Sequence, residues 1–343
     1  MNIAIVGCGG FANQYRHIYT QVEGAKLVLM IDPNKRMART AAAKLGVPRT
    51  STAFEDCLAD DIDMIDISTP NFLHLPQALQ AIEAGKHVII QKPLTPTVAD
   101  GQKLIDAAKK SSKNIGMFMN MRSNPLIDNI KDIIKSGAIG KVSSTFSRGA
   151  HTGGLRMKEN NWRNSTEKTG GGALIQLGLH HINLVQWLLD EKIVSVMAYS
   201  KNLMCPNVAG DDVTNAIFEY ESGIMGTVES AYCATGGELV INGSEGRIEL
   251  FPRQLRLRLN RPYKGTFFNY TAPKKERTIP LHFTGRFMFS TDNPAEQHVH
   301  FVKACLEGKP VPVPIADGLY DLKVVDAIYR SAKEQKMVFV EGK

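Results

Sequence analysis

A chain of 343 residues, 43% apolar and 22% charged with a net charge of +7, is longer than one hydrophobic core usually supports, so two soluble globular domains are expected. No apolar run approaches the roughly 20 residues that span a bilayer, the first apolar stretch leads into glycines and not a cleavage site, and the five cysteines, Cys8, Cys57, Cys205, Cys233 and Cys305, form no Cys-x-x-Cys pair; a membrane protein, a disulfide framework and a zinc site are set aside, and a cytoplasmic protein is expected. The positive charge does not single out nucleic acid, because the densest basic patch, residues 253–264, alternates Leu255, Leu257 and Leu259 with Arg256 and Arg258 as a half-buried strand requires.

In chain order, "NIAIV" predicts a strand over 2–6, followed by a glycine turn and a helix. The run "KLVLMID" is a second strand ending at Asp32, and "NKRMARTAAAKLG" a helix closed by Gly46. Then come the strand "DMIDIS", the helix "LPQALQAIEAG", the strand "HVII", the helix "VADGQKLIDAAKKS" and the strand "IGMFM". Strands alternating with helices imply a doubly wound parallel sheet of the α/β class over residues 1–120. Residues 121–343 follow another grammar. After the helix "PLIDNIKDIIKSG" come the strand-like runs "KVSSTFSRGAH", "DVTNAIFEYES", "IMGTVESAYC", "ELVINGSEGRIELF" and "QLRLRLN", with one strong helix, "GALIQLGLHHINLVQWLL", between the first two. Two helices, "AEQHVHFVKACLEG" and "LYDLKVVDAIYRSAKEQ", close the chain. This second domain is read as α+β with an open, mostly antiparallel sheet, serving substrate binding and oligomerisation.

Gly7-Cys8-Gly9-Gly10-Phe11-Ala12 fits G-x-G-x-x-A between a strand and a helix, the context in which that motif binds a dinucleotide. Gly7 permits the tight turn, Gly9 admits a pyrophosphate, Ala12 lets helix pack on strand, and the helix N-terminus offers free N–H groups. Asp32, about 20 residues on, is placed to accept from ribose hydroxyls and to repel a 2′-phosphate, so the expected cofactor is NAD. Arg36 speaks for NADP, since it can pair with a 2′-phosphate if Asp32 turns away.

Gly7 to Ala12, "STPNFLH" at 68–74, "AGKHVIIQKPL" at 84–94, Trp162-Arg163, "GGGALIQLGLHHIN" at 170–183, "VINGSEGRIEL" and "DGLYDLKVVDAIYRSA" together resemble the Gfo/Idh/MocA oxidoreductases, the glucose-fructose oxidoreductase and inositol dehydrogenase family. The resemblance spans the whole chain. It implies that Lys92-Pro93 closes the fifth strand, often through a cis peptide, with Lys92 directed at the reacting groups, and that His180 holds the place of the family's catalytic histidine. Gln176 and His180 are four apart and share a helical face, and a histidine suits removal of a hydroxyl proton. His181 points elsewhere and is read as structural. By the same resemblance Ser68, Thr69, Pro70, Asn71, His74, Gln91, Lys92, Asn120, Trp162 and Arg163 line the cofactor with Gly7, Gly9, Gly10, Phe11, Ala12 and Asp32; a plain turn capped by Asn71 is the competing reading. Arg122, His151, Arg163 and Tyr232 join Lys92, Gln176 and His180 as candidates for the substrate pocket.

Gln91, Gln176 and Asn183 stand where the family usually carries acids. Amides hydrogen-bond a hydroxyl but hold neither a proton nor a negative charge, which makes the pocket tolerant of an anionic substrate. Three functions therefore stay open: NAD-dependent hydride transfer at a secondary hydroxyl of a sugar, cyclitol or glycoside; a glycosidase-like reaction through a transient 3-oxo sugar; or a non-catalytic NAD or sugar sensor. Retention of Lys92 and His180 favours an enzyme. The expected partners are a small-molecule substrate and further copies of the chain, as a dimer, tetramer or larger assembly, with no nucleic acid, membrane or metal.

Overall fold

The computed structural model describes residues 1–10, 12–123, 125–251, 254–261, 263–265, 277–279, 282–286 and 296–342. Phe11, expected at the cofactor turn, lies outside the described residues. The chain divides into two compact units, the first Met1–Ser123, Glu167–Gly170 and Asp292–Leu322, the second Asn124–Thr166, Gly171–Thr291 and Lys323–Lys343.

In the first unit β1 (Asn2–Val6), β2 (Lys26–Ile31), β3 (Arg49–Ser51), β4 (Met64–Ile67), β5 (His87–Gln91) and β6 (Ile115–Phe118) form a parallel sheet in the order β3-β2-β1-β4-β5-β6. Strands β1 and β4 are buried almost throughout, as strands covered on both faces must be. The winding direction reverses between β1 and β4, so the ligand crevice of such a sheet is expected beyond their carboxyl ends, at Gly7 and Ser68. The helix Lys35–Leu45 begins where Asn34 accepts from the backbone N–H of Arg36 and Met37, and ends at Gly46 with φ 67°.

Two features depart from the sequence reading. The segment after the glycine turn is α-helical only over Ala12–Tyr15 and tightens to a 3₁₀ turn over Arg16–Thr20, which buries Tyr15 and Tyr19. A phosphate there must depend on glycine N–H groups more than on a long helix dipole. The helix Glu296–Glu307, read as part of the second domain, lies in the first unit. Its Gln297 donates to the Met117 carbonyl at 2.6 Å and accepts from the Met119 N–H at 2.7 Å, occupying backbone groups at the end of β6.

The second unit contains β7 (Val142–Ala150), β8 (Ile193–Lys201), β9 (Val213–Tyr220), β10 (Met225–Ala231), β11 (Gly236–Gly243), β12 (Gly246–Phe251), β13 (Gln254–Leu259), β14 (Tyr263–Gly265), β15 (Arg277–Ile279), β16 (His282–Arg286) and β17 (Val338–Phe339). Among the described residues nine of them form one sheet, β16-β13-β12-β11-β7-β10-β9-β8-β17, and β14 pairs with β15. Every pairing is antiparallel except β7 with β10. In β13 Leu255, Leu257 and Leu259 are buried and Arg258 is exposed, the alternation predicted for it. One face is packed against the helix Leu179–Leu189 through His181 on Ser147. The strands also present exposed apolar side chains: Met197 and Tyr199 on β8, Ile217 on β9 and Met225 on β10.

Candidate active site

The first unit supplies the nucleotide end. Gly7 has φ 96°, and a Cβ there would meet the Ser68 carbonyl, whereas one at Gly9 or Gly10 would find open space. The turn is thus closed on the sheet side and open where a phosphate would approach. Asp32 accepts from the Cys8 N–H at 2.9 Å through one oxygen and from the Asn34 N–H at 2.8 Å through the other. A carboxylate has about four acceptor sites, so both oxygens retain capacity for ribose hydroxyls. These residues fit an adenine dinucleotide. Ser68 donates to Asp66 at 2.9 Å and shares a short hydrogen bond with Tyr15. Burial raises the Asp66 carboxyl to about 6, against the opposing hydrogen bonds from Tyr19 and Ser68.

Lys92 follows β5, is half-buried, and is joined to Pro93 by a cis peptide bond. The buried Gln91 turns its side-chain oxygen back onto the Lys92 N–H at 2.9 Å. Thr69 donates to Gln77, and Thr69 and Pro70 are half-buried. Three expected ligand residues are engaged elsewhere. Asn71 is buried and donates to the Thr169 carbonyl at 2.9 Å, so it neither caps the following turn nor offers surface to a cofactor. His74 has no accessible surface, and its ring lies between two backbone carbonyls. The guanidinium of Arg122 donates to Asp317 at 2.8 Å. Asn120 begins the 3₁₀ turn Asn120–Ser123 and is half-buried.

His180 and Gln176 lie in the second unit. The segment read as one helix is a π turn over Leu174–Gly178 followed by an α-helix over Leu179–Leu189. Such turns bond i to i+5 and recur at functional sites. Gln176 lies in the π turn, buried, and His180, half-buried, in the first α turn. Asn183 is wholly buried. His181 is also buried, pairs with Ser147, and is pushed down to about 4 by burial.

The native His181 therefore binds fewer protons than the unfolded chain between about pH 4 and 6.5, so its contribution is complete above 6.5 and is lost as pH falls toward 4. Unfolding midpoints in urea should fall across that window by an amount equivalent to a few kcal/mol. His181→Asn, which keeps a polar group toward Ser147, should flatten the pH dependence; an unchanged slope would assign the loss to other groups.

A residue absent from the sequence reading holds this helix. Asp211 accepts from the Gly172 N–H at 3.0 Å and the Tyr329 hydroxyl at 2.7 Å through Oδ1, and from the Leu174 N–H and the Thr214 hydroxyl, both at 2.8 Å, through Oδ2. Its carbonyl accepts from the Ala173 N–H at 2.8 Å. The consecutive glycines follow from this packing, because a Cβ at Gly172 would overlap the Asp211 backbone and one at Gly171 the Tyr329 hydroxyl. Within the same unit the Arg163 guanidinium lies 4.4 Å from the centre of the Trp162 ring, and the His151 and Tyr232 rings are 4.9 Å apart. Burial raises the Tyr232 hydroxyl well above its ordinary value, with the Arg163 charge opposing, so Tyr232 stays a neutral donor. His151 is exposed and Tyr232 buried. Among the described residues no group of three His, Cys, Asp or Glu is placed to hold a metal ion, and no helix is long and apolar enough to cross a membrane.

A parallel sheet with an open glycine turn at its switch point and an acid closing the second strand defines a dinucleotide-binding protein, here joined to a domain with a large mixed sheet. Residues 1–119 match the description "Oxidoreductase family, NAD-binding Rossmann fold" and residues 131–340 its partner, "Oxidoreductase family, C-terminal alpha/beta domain". The chain belongs to the Gfo/Idh/MocA oxidoreductase family. It is 27% identical over 350 residues to a levoglucosan dehydrogenase of Pseudarthrobacter phenanthrenivorans, covering 91% of this chain and 89% of that one. It is 28% identical over 253 residues to the scyllo-inositol 2-dehydrogenase (NAD(+)) of Bacillus subtilis, covering 71% and 72%. A levoglucosan dehydrogenase solved in complex with NADH and levoglucosan shares the fold with a TM-score of 0.86 at 23% identity, over 100% of both chains.

Proposed function

We propose that this oxidoreductase removes a hydride from a secondary hydroxyl carbon of a sugar, cyclitol or glycoside, with Lys92 and His180 handling the hydroxyl proton and charge. The observation that carries the reading is the fit of the first unit to NAD, with Lys92 set immediately beyond β5 in the same unit. Bound NAD supplies the hydride acceptor. The Lys92 ammonium donates to the substrate oxygen and stabilises the negative charge that grows on it. A ring nitrogen of His180 takes the hydroxyl proton. Gln176 orients a hydroxyl without holding a proton, and Arg163, His151 and Tyr232 bind the remaining hydroxyls. NADH formation across a panel of inositols, hexoses, uronates and glycosides, with product analysis, tests this reading. The three amides favour one second reading, since they alter the usual proton relay: a glycoside cleaved without net NADH would establish the redox-neutral route through a 3-oxo sugar.

Asp32 is assigned the choice of NAD over NADP, because a 2′-phosphate would meet its carboxylate as a like charge. The wild type should bind NAD more tightly than NADP, and Asp32→Ser should narrow the gap; equal affinities in the wild type at physiological salt would remove the assignment. Self-association is part of the same proposal, with Met197, Tyr199, Ile217 and Met225 as the apolar contact. A monomer in sedimentation velocity at micromolar concentration would exclude it.

A further inference from the structure

His74 is the first residue of the helix His74–Glu83 and has no accessible surface. Its Nδ1 lies 2.8 Å from the Pro93 carbonyl and its Nε2 2.9 Å from the Thr69 carbonyl. One ring thus joins the loop after β4 to the turn after β5. That turn needs fixing, because the ladder between β5 and β6 ends at Gln91 paired with Phe118, one residue before Lys92. Two side chains grip the backbone on either side of the lysine: Gln91 takes the Lys92 N–H, and His74 meets the carbonyl of the next residue.

We propose that His74 is a positioning residue for Lys92, acting by donating its Nδ1 proton to the Pro93 carbonyl, and that this rests on the reading of Lys92 as the group that stabilises the substrate oxygen. The donor count restricts the ring to one of the two carbonyls, and the tautomer is what the proposal commits to. Both ring nitrogens face acceptors, yet a neutral imidazole carries one N–H. Burial lowers the pKa of the ring, the carbonyls oppose that, and the Lys92 ammonium adds to the lowering. The neutral ring satisfies one carbonyl, and the one that orders the lysine turn is Pro93. The Thr69 carbonyl belongs to a loop already tied by the Ser68 N–H to Val6 and by the Thr69 hydroxyl to Gln77.

The test uses the substrate oxidised fastest in the panel and three variants, alone and combined with Lys92→Ala. His74→Ala should lower kcat by about thirtyfold, within the range expected when a reacting group is displaced by a fraction of an ångström to one ångström. In His74→Asn the amide N–H replaces Nδ1, and most of the lost kcat should return. In His74→Gln it replaces Nε2, and little should return. In the Lys92→Ala background His74→Ala should change kcat by less than about twofold, since the group it positions is gone. Side-chain ¹⁵N NMR of the wild type should show the proton on Nδ1. A wild-type kcat in His74→Ala, better rescue by Gln than by Asn, an undiminished His74 effect without Lys92, or a proton on Nε2 would each overturn the proposal while leaving the role of Lys92 intact. If the alanine variant does not fold, the Asn and Gln pair still decides. Wild-type turnover in Lys92→Ala would overturn the reading of Lys92, and this proposal with it.

Discussion

Lys92→Ala is expected to lower turnover by about a hundredfold or more while NAD affinity hardly changes. In the proposed reaction the ammonium acts on charge that exists only as the hydride leaves, so its removal is expected to raise the barrier without loosening the glycine turn or Asp32. The paired measurement is steady-state oxidation of the panel substrate together with titration of NADH fluorescence. His180→Ala should show the same pattern, with a loss of about a hundredfold from removal of the proton acceptor. Near-normal turnover in both variants would withdraw the catalytic assignment of Lys92 and His180, and no turnover of any panel substrate by the wild type would favour the sensor; a parallel collapse of NADH binding would make Lys92 a cofactor ligand instead.

Asp211→Ala is expected to cost about 3 kcal/mol or more of stability, a large share of the roughly 5–15 kcal/mol that holds a typical domain. Its carboxylate receives four donors, two from the backbone at the start of the π turn and two from the Thr214 and Tyr329 hydroxyls. Removing the common acceptor strands them together. Tyr329→Phe and Thr214→Val each delete one donor and should cost about 1 kcal/mol apiece. Asp211→Asn turns one acceptor into a donor facing two others, so it should resemble alanine. Urea midpoints rank the four variants, and an Asp211→Ala shift no larger than that of Tyr329→Phe would show the cluster to be unimportant. Folded Asp211→Ala should also lose turnover, because the same helix carries Gln176 and His180.

Period and punctuation made the first sheet legible, since five of its six strands are apolar runs bounded by helices. The exception is β3, whose Arg49, Thr50 and Ser51 carry no apolar pattern because the strand lies at the sheet edge. In the second unit "ELVINGSEGRIELF" contains two strands turning at Ser244 and Glu245, and β8 follows its helix so closely that no turn signal separates them. The parallel pairing of β7 with β10 depends on contacts across tens of residues and has no local signature. The site divides along the same line. Gly7, Asp32, Lys92 and His180 stand in motifs with fixed spacing, whereas Asp211 meets Tyr329 across 118 residues. Arg122 and Asn71 look like ligands in sequence because nothing nearby shows that Asp317 and the Thr169 carbonyl, 195 and 98 residues on, engage them.

The first unit draws its last segment from Asp292–Leu322, and this imposes an order on synthesis. His298 from that segment stacks on Tyr15, ring centres 4.0 Å apart, and packs on Phe118 at 4.3 Å, while Phe301 fills the space where a side chain at Gly116 would lie. A nascent chain that has emerged only through β6 would expose these aromatic surfaces with no covalent neighbour to cover them. The flank of the first sheet is then covered only once the segment beyond residue 292 has been made, and until that point its apolar surface is exposed to non-native contacts. A chain stopped before residue 296 would hold all six strands of that sheet with the aromatic flank at Tyr15 and Phe118 uncovered.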